Sequence, residues 1–312
     1  MRDNVIRIVV AVSTDPSDLY FANQMARRFR LVGILLEHQR EAPDSRPRWK
    51  KAAASLRRPR EFFTRSAQFC GRQWHRWISR RFLDEQPAQF GDDGRRLDPS
   101  IDAPVLRVEG KGRLNHPENV AWIRERNPDL IVVCGASILK EPILEIPTLG
   151  SLNLHGGLSQ FYRGLFTTDW AIHNGEPEKV GATVHFISPG IDDGKVVYQG
   201  RPALNRDDHP NKAYEKVVRL GVEMMTAAIR ALDADELHPS VAAPRGQLYR
   251  ERDFTNRVRR RLWRRWRRVM LRHENDREHL DAAMEAYLLN PFSRPAHNDA
   301  HPTDHQPRGE VL

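Results

Sequence analysis

The hydrophobic pattern of the first forty residues is that of a strand, a helix and a second strand. Residues 6–12 form a β-branched run typical of a strand that is buried on both faces, and residues 31–36 form a second such run. Between them, apolar residues recur at helical spacing: Leu19, Ala22, Met25, Ala26 and Phe29. A unit of this length predicts two parallel strands joined by a crossover helix, which is the opening of an α/β domain.

The alternation of strands and helices breaks after Glu37 and resumes near residue 104. Residues 43–101 are rich in Arg, Pro and aromatic residues, and within residues 62–82 the apolar positions return every three to four residues. We interpret this segment as a basic insertion of one or two amphipathic helices after the second strand. The pattern then predicts strands at residues 104–108, 130–134, 149–155, 182–187 and 196–199, and helices at 116–126 and 210–234. The predicted fold class is therefore α/β, with a Rossmann-like, mostly parallel sheet.

The pattern changes again after residue 240. It predicts three elements there: a short strand within residues 247–254, an Arg/Trp-rich helix at 257–272 and a second amphipathic helix near 278–289. Residues 291–312 are dense in Pro, His, Asn and Asp, which is the composition of a disordered tail. We therefore predict a main domain over residues 1–240 and a helical C-terminal extension over residues 241–290.

Composition excludes several classes of protein. The chain has 312 residues, of which 39% are hydrophobic and 29% are charged, so it can bury a sizeable core beneath a charged surface. No apolar run approaches the roughly 20 residues needed to cross a bilayer. The two cysteines, Cys70 and Cys134, cannot form a disulfide framework and show no metal-ligating spacing. We expect a cytoplasmic protein without a metal centre.

The net charge of +9 is concentrated in two segments. Residues 46–82 contain twelve Lys or Arg and one acid, and residues 257–272 contain nine Arg and no acid, so the rest of the chain is net acidic. Such segments favour anionic surfaces or polyphosphate ligands as partners.

The second basic segment has an apolar stripe surrounded by arginines. Its residues are Val258, Leu262, Trp266, Val269 and Met270. The stripe could lie on an anionic membrane surface, which would make the protein peripheral at the inner face of the membrane. It could equally pack on the protein's own body, and both interpretations stay open. The two amphipathic segments are also candidate surfaces for a homodimer.

The strongest chemical signal is an Asn-x-His strand end followed, further along the chain, by an Asp in a glycine-flanked turn. Asn153 and His155 are two apart on a predicted strand, so their side chains share a face at the carboxyl edge of the sheet. An amide donor can stabilise a developing oxyanion while an imidazole moves protons, a combination that suits acyl transfer. Asp192 in the turn would orient the imidazole. On spacing alone, side chains satisfied by backbone and an ordinary turn are an equal alternative.

Residues 129–199 resemble the formyltransferase family that uses 10-formyltetrahydrofolate as the formyl donor. The resemblance rests on four elements in family order: Asn153-Leu154-His155, Arg163-Gly164, Thr183-Val184-His185-Phe186 and Ile191-Asp192-Asp193-Gly194. It implies the Rossmann-like formyltransferase fold and a one-carbon transferase that uses 10-formyltetrahydrofolate and no metal. The chain departs from many relatives in the loop after His155, which lacks their proline.

The resemblance also implies roles for individual residues. The catalytic set is Asn153, His155 and Asp192. The residues expected to contact the folate are Cys134, Gly135, Ala136, Gly190 and Ile191. The residues expected to contact the acceptor are Arg163, Gly164 and Thr168. We expect His185 to be structural.

The resemblance leaves the formyl acceptor open. Residues 161–170 are most similar in pattern to formyltransferases of surface-glycan pathways, so we expect an amino sugar that carries phosphate, such as a nucleotide-activated one. Methionyl-tRNA is an alternative that the basic segments favour. The helical pattern after residue 235 opposes it, because the tRNA enzyme carries a barrel-like domain there. Hydrolysis of 10-formyltetrahydrofolate is another alternative, and a catalytically silent, membrane-associated scaffold is the last.

Overall fold

The computed structural model describes residues 5–39, 89–188, 190–241 and 245–292. The amphipathic helices predicted within residues 62–82, and the tail beyond residue 292, lie outside the described residues.

The strands follow the predicted order along the chain. Their bounds are β1 (Ile8–Ser13), β2 (Leu31–His38), β3 (Val105–Glu109), β4 (Leu130–Cys134), β5 (Ser151–His155), β6 (Tyr162–Gly164), β7 (Ala182–Phe186), β8 (Val196–Gly200) and β9 (Gln247–Tyr249). In the described part of the chain, seven of them form one sheet in the order β3-β2-β1-β4-β5-β7-β8. Strands β1 to β5 run parallel, whereas β7 is antiparallel to β5 and β8 is antiparallel to β7. The α/β fold with a mostly parallel sheet is therefore confirmed.

Helices cover both faces of this sheet. Their bounds are α1 (Pro16–Arg28), α2 (Pro117–Glu125), α3 (Glu141–Leu144), α4 (Thr167–Asn174), α5 (Pro210–Asp233), α6 (Asn256–Asn275) and α7 (Arg277–Glu285). Short 3-10 turns lie at Gly91–Gly94, Arg113–Asn115, Pro177–Lys179 and Glu251–Asp253.

Strand β1 shows why the sheet is buried on both faces. Ile8, Val10 and Val12 belong to a core shared with α1 and α5, whereas Val9 and Ala11 point into a second core shared with α2 and α3. All five side chains are buried, so the uninterrupted apolar run found in the sequence serves two layers at once.

The last part of the predicted basic insertion is not a basic helix. Residues 89–101 form a 3-10 turn and a loop that dock on α1. Arg27 of α1 forms ion pairs with Asp93 and Asp98, and the Asn23 amide donates to the carbonyls of Asp93 and Arg96. The insertion predicted over residues 43–101 therefore ends earlier than expected, because acidic and backbone groups tie its last residues to the main body.

The Arg/Trp-rich helix forms as predicted, and its apolar stripe faces the interior of the protein. Leu262, Trp266 and Met270 are 2%, 7% and 0% exposed, and α6 packs on α4. This arrangement excludes the mode of membrane binding in which the stripe enters the bilayer, because the stripe is already covered. It also removes the stripe as a dimer surface. Within the described ranges, no helix is long and apolar enough to span a membrane.

Candidate active site

Strands β5 and β7 bring three polar side chains to one face of the sheet. Asn153 and His155 are two apart on β5 and therefore point the same way. In the antiparallel register, Asn153 lies opposite His185 and His155 lies opposite Thr183. Directly opposite residues of an antiparallel pair share a face, so His185 joins the predicted pair at the carboxyl edge of β5.

Asp192 reaches this face from the glycine-flanked turn between β7 and β8. Its Oδ2 accepts a hydrogen bond from the Gly164 amide at 2.8 Å and lies 3.4 Å from His155 Nδ1. Its Oδ1 lies 3.6 Å from His185 Nε2. Burial alone would raise the pKa of Asp192, but His155 and the Gly164 amide oppose burial, and that pKa lies below the ordinary value. The carboxylate is therefore ionised between two imidazole rings.

Both ring nitrogens of His155 face oxygen acceptors. Nδ1 faces Asp192, and Nε2 lies 2.9 Å from the Tyr162 carbonyl oxygen. Carbonyl and carboxylate oxygens only accept hydrogen bonds, so the two contacts are satisfied together when both ring nitrogens carry hydrogen. The ring is 5% exposed. The geometry therefore favours a cationic, proton-donating imidazole held by an ionised carboxylate.

His185 has a different set of partners, and the prediction from sequence did not include it among the site residues. Its Nδ1 lies 2.8 Å from the Phe186 carbonyl oxygen, and its Nε2 lies 3.1 Å from Asn153 Nδ2. Because the carbonyl needs a donor and the amide NH₂ offers one, the ring fits as the neutral form with hydrogen on Nδ1. One amide hydrogen of Asn153 is thereby fixed, and the other remains available for a substrate oxygen. The sequence signal for this role was the alternation of Thr183 and His185 along β7.

The residues predicted to bind the acceptor form hydrogen bonds or close contacts with backbone atoms in this structure. Arg163 donates from Nε to the Gly246 carbonyl at 2.9 Å and from Nη1 to the Ile191 carbonyl at 3.2 Å. The Thr168 hydroxyl, in a residue 4% exposed, faces the Gly156 carbonyl at 3.4 Å. These contacts favour roles in holding the loops beside His155 and Asp192 over direct contact with an acceptor.

Only glycine fits at position 164, because another backbone segment packs closely against it. Its φ is +86°, and a Cβ at this position would lie 2.1 Å from the Tyr249 carbonyl oxygen. Any side chain would push β6 away from β9 and move the amide that binds Asp192. Gly164 therefore acts on the site through Asp192.

The C-terminal extension is part of the wall beside this site. Strand β9 pairs in parallel with β6, so the extension packs on the loop that carries Arg163 and Gly164. Aromatic rings continue the contact: Tyr249 stacks on Trp170 with centroids 4.4 Å apart, and Phe254 stacks on Phe166 with centroids 4.6 Å apart. The pairing of β6 was not predicted, because a strand of three residues leaves no periodic pattern.

The residues expected to contact the folate lie at loops beside the catalytic set. Cys134 ends β4 and is buried, whereas Gly135 is exposed and Ala136 is partly exposed. On the other loop, Gly190 is exposed and Ile191 is 39% exposed. Four of the residues expected to contact the formyl donor are therefore accessible to a ligand: Gly135, Ala136, Gly190 and Ile191. In the described part of the chain, no group of three or more His, Cys, Asp or Glu is placed to hold a metal ion.

Comparison with known proteins finds a family resemblance over part of the chain. Residues 79–229 match the family model described as formyl transferase. Methionyl-tRNA formyltransferase of Caldanaerobacter subterraneus subsp. tengcongensis is 35% identical over 126 residues, which are 40% of this chain and 40% of that protein. The enzyme of the same name from Citrifermentans bemidjiense is 35% identical over 137 residues, which are 44% of this chain and 42% of that protein. The matched part thus spans less than half the length of these relatives.

A solved structure shows a distant similarity. A sugar N-formyltransferase from a Shewanella species superposes with a TM-score of 0.48 and 16% identity, over 80% of this chain and 78% of that chain. The family model covers Asn153, His155 and Asp192, the residues that the fold brings together at the edge of the sheet. Residues 79–229 of this chain are therefore similar to the formyl transferase domain.

Proposed function

We propose that this chain transfers a formyl group from 10-formyltetrahydrofolate to a primary amine. The observation that carries the proposal is the contact set of Asp192 with His155 and His185, next to the oriented amide of Asn153. It combines a proton donor, an ionised carboxylate and a fixed amide N–H within one face, which are the groups that acyl transfer to an amine requires.

The residues would divide the reaction as follows. The amine nitrogen attacks the formyl carbon, the carbonyl electrons move to the formyl oxygen, and the bond from the carbon to the folate nitrogen breaks as that nitrogen receives the proton the amine loses. The free N–H of Asn153 and the imidazolium of His155 stabilise the charge that builds on the oxygen. Asp192 stabilises the imidazolium and takes part in the transfer of the amine proton.

The loops around the catalytic set fit a flat, hydrogen-bonding donor. Gly135 has φ +68° and exposes its backbone, and Ile191 presents an apolar side chain beside Asp192. Backbone N–H and C=O groups beside an apolar wall suit a heterocycle with several donors and acceptors. We assign the folate to these two loops.

For the acceptor we propose an amino sugar that carries phosphate. The described part of the extension, residues 245–292, contains one strand of three residues and two helices, and it packs beside the site. On α6, the face opposite the buried stripe carries exposed arginines, among them Arg257, Arg261, Arg267, Arg268 and Arg272. Arginine binds phosphate through paired hydrogen bonds, so this arginine face supports a phosphate-bearing acceptor.

Methionyl-tRNA is a second candidate acceptor. It is favoured by the names of the relatives that are 35% identical over the matched segment. The arginine face would suit an RNA backbone as well as a nucleotide sugar. Hydrolysis of the donor is the remaining alternative, with water in place of the amine.

Release of tetrahydrofolate separates these functions. Purified protein is incubated with 10-formyltetrahydrofolate alone, with a panel of UDP- and dTDP-amino sugars, or with charged initiator tRNA. Release that requires an amino sugar supports the proposal, release that requires tRNA supports the second candidate, and release without any acceptor identifies a hydrolase. His155→Ala should abolish release, and His173→Ala is the matched control because His173 lies on α4 beside Trp170 and outside the catalytic set. Absence of release under all conditions would contradict formyl transfer.

A further inference from the structure

A carboxyl group is buried beneath the expected donor loop and takes no part in the catalytic set. Asp18, in the first turn of α1, is 4% exposed. Its Oδ2 accepts a hydrogen bond from Ser13 Oγ at 2.6 Å, and its Oδ1 accepts from Ser17 Oγ at 3.0 Å and from Cys134 Sγ at 3.7 Å. Among the described residues, no Lys, Arg or His forms an ion pair with it. Its charge would therefore be buried without a compensating cation.

The Asp18 carboxyl lies directly against the backbone of Gly135. A Cβ on Gly135 would lie 1.8 Å from Asp18 Oδ2, so no other residue fits there without displacing the carboxyl. Gly135 also bridges to Val12 of β1, and its carbonyl accepts a hydrogen bond from Gln39 Nε2 at 2.8 Å. Gly135 is thus held from several sides in a left-handed conformation, and Asp18 forms one of those sides.

The same carboxyl is connected to the loop that follows His155. The Tyr214 hydroxyl of α5 lies 3.5 Å from Ser17 Oγ, and a Cβ on Gly156 would lie 3.3 Å from Cε2 of the Tyr214 ring. A displacement around Asp18 would therefore reach both the expected donor loop and the backbone next to the catalytic histidine.

We infer that Asp18 is a positioning residue for the formyl donor. In its protonated form it supports the Gly135 backbone in the conformation that receives 10-formyltetrahydrofolate, and its ionisation displaces that backbone and weakens donor binding. The inference rests on the proposed function, because it takes Gly135 and Ala136 as part of the donor site.

Among Asp18 and the buried thiol and phenol that face it, Asp18 is the group that titrates near neutral pH. Burial raises the pKa of Asp18 to about 7, although hydrogen bonds from Ser13, Ser17 and Cys134 oppose the increase. Cys134 faces it from β4 and Tyr214 from α5. Burial, and then the charge of Asp18, raise the pKa values of that thiol and that phenol above their ordinary values, so both stay neutral over this range. Asp15 faces it from the exposed start of α1.

Donor binding as a function of pH tests the inference. The probe is 5-formyltetrahydrofolate, and its dissociation constant is measured by calorimetry from pH 6 to 8.5 with the full chain. If only the protonated form binds, the constant for the unmodified protein increases about 30-fold over this range, because the competent fraction decreases by that factor. Asp18→Asn should bind at all pH values as the unmodified protein does at pH 6. Asp15→Asn, which removes the same charge from an exposed position, should retain the pH dependence, with the transition at lower pH because the charge of Asp15 raises the pKa of Asp18.

A second variant and a second measurement keep the test informative if Asp18→Asn does not fold. Ser13→Ala removes a hydrogen bond that lowers the pKa of Asp18, so the transition in donor binding should move to higher pH. Without ligand, residues 134–137 of the unmodified protein should lose protection from hydrogen exchange between pH 6 and pH 8.5, once the intrinsic pH dependence of exchange is removed. An unchanged transition in Asp18→Asn would overturn the inference. Binding that is independent of pH in the unmodified protein would do the same, whereas no binding at any pH would overturn the donor assignment itself.

Discussion

The two histidines beside Asp192 differ in the partners of their ring nitrogens. His155 faces two oxygen acceptors. His185 faces a carbonyl with Nδ1 and the Asn153 amide with Nε2, and Asp192 Oδ1 lies farther from that Nε2, at 3.6 Å. The first arrangement favours a cationic ring and the second a neutral ring with hydrogen on Nδ1. At the scale of single residues, one histidine is therefore placed to donate a proton and the other to hold Asn153.

Replacement of His185 should separate catalysis from donor binding. His185→Ala leaves the Asn153 amide without its acceptor, so the N–H proposed to meet the formyl oxygen loses its fixed direction. We expect kcat to decrease by about 10- to 100-fold, which is the effect of about 1.4 to 2.7 kcal/mol of lost transition-state stabilisation, with the donor KM within about twofold of its original value. Steady-state kinetics with the acceptor identified above give both constants. His173→Ala serves as control, and an unchanged kcat in His185→Ala would contradict the orienting role.

The proximity of Asn153, His155 and Asp192 was predictable because its signals are local. Asn153 and His155 are two apart on one strand, and Asp192 lies in a short glycine-flanked turn. His185 was interpreted as structural because a histidine in a strand looks the same in sequence whether it packs or takes part in a site. Only the register of β7 on β5 places it opposite Asn153. The backbone contacts of Arg163 depend on Gly246, far away in the sequence, and no local pattern could reveal them.

At the scale of elements, helix α6 shows what a segment's own sequence can predict and what it cannot. Its periodicity predicted the helix and its apolar stripe, but an apolar stripe suits a membrane and a protein core equally well. The partner surface, α4 with its aromatic neighbours, is assembled by tertiary structure that the sequence of α6 does not contain. The side that the stripe faces therefore could not be predicted from the segment alone.

Two neighbouring residues of α6 test the docking of this helix. Met270 is fully buried, and Leu271 beside it is 48% exposed. Met270→Ala should reduce the free energy of unfolding by about 2 to 4 kcal/mol, because it opens a cavity in a packed interface. Leu271→Ala should change it by less than about 1 kcal/mol. Urea unfolding measures both, and equal effects would mean that the stripe does not pack on the body as described.

The arginine face of α6 is expected to act on the acceptor and not on the donor. Arg261→Glu combined with Arg268→Glu reverses two exposed charges on one side of the helix. If the face binds phosphate, the acceptor KM should increase about tenfold at 50 mM salt and less at 200 mM, since screening weakens exposed charge pairs. Arg124→Glu combined with Arg230→Glu makes the same charge change on exposed positions of α2 and α5. Equal KM values for the two double variants would rule out a contribution specific to α6.

At the scale of the whole molecule, buried and partly buried carboxyl groups make opposite contributions to the pH dependence of stability. Burial raises the pKa values of Asp18 and Asp169 to about 7, and Arg259 opposes the increase at Asp169. The pKa values of Asp192, Glu176 and Asp281 are lowered, because burial is outweighed by the histidine, lysine, arginine and tyrosine groups beside them. The first pair favours protonation in the folded state, and the second set favours ionisation.

These contributions predict a maximum of stability near pH 4. Between about pH 4 and pH 7 the folded chain holds protons on Asp18 and Asp169 that the unfolded chain has released, so the free energy of unfolding decreases as pH rises through this window. The cost is up to about 4 kcal/mol for each group. Below about pH 4, Asp192, Glu176 and Asp281 become protonated as pH falls. They then lose the stabilisation that their ionised forms gain from their partners, and the free energy of unfolding decreases again.

Urea unfolding from pH 3.5 to 8 measures this curve. In the double variant Asp18→Asn, Asp169→Asn the decrease between pH 4 and pH 7 should largely disappear, because an amide has no proton to release, while the decrease at acid pH should remain. Asp15→Asn removes an exposed carboxylate from the same turn as Asp18 and should leave both limbs in place. Because the same ionisation of Asp18 is inferred to weaken donor binding, the decrease in stability should level off near pH 7, and the donor dissociation constant should begin to rise at that same pH. A donor dissociation constant that begins to rise well away from the pH at which stability levels off would show that the group controlling donor binding is not Asp18.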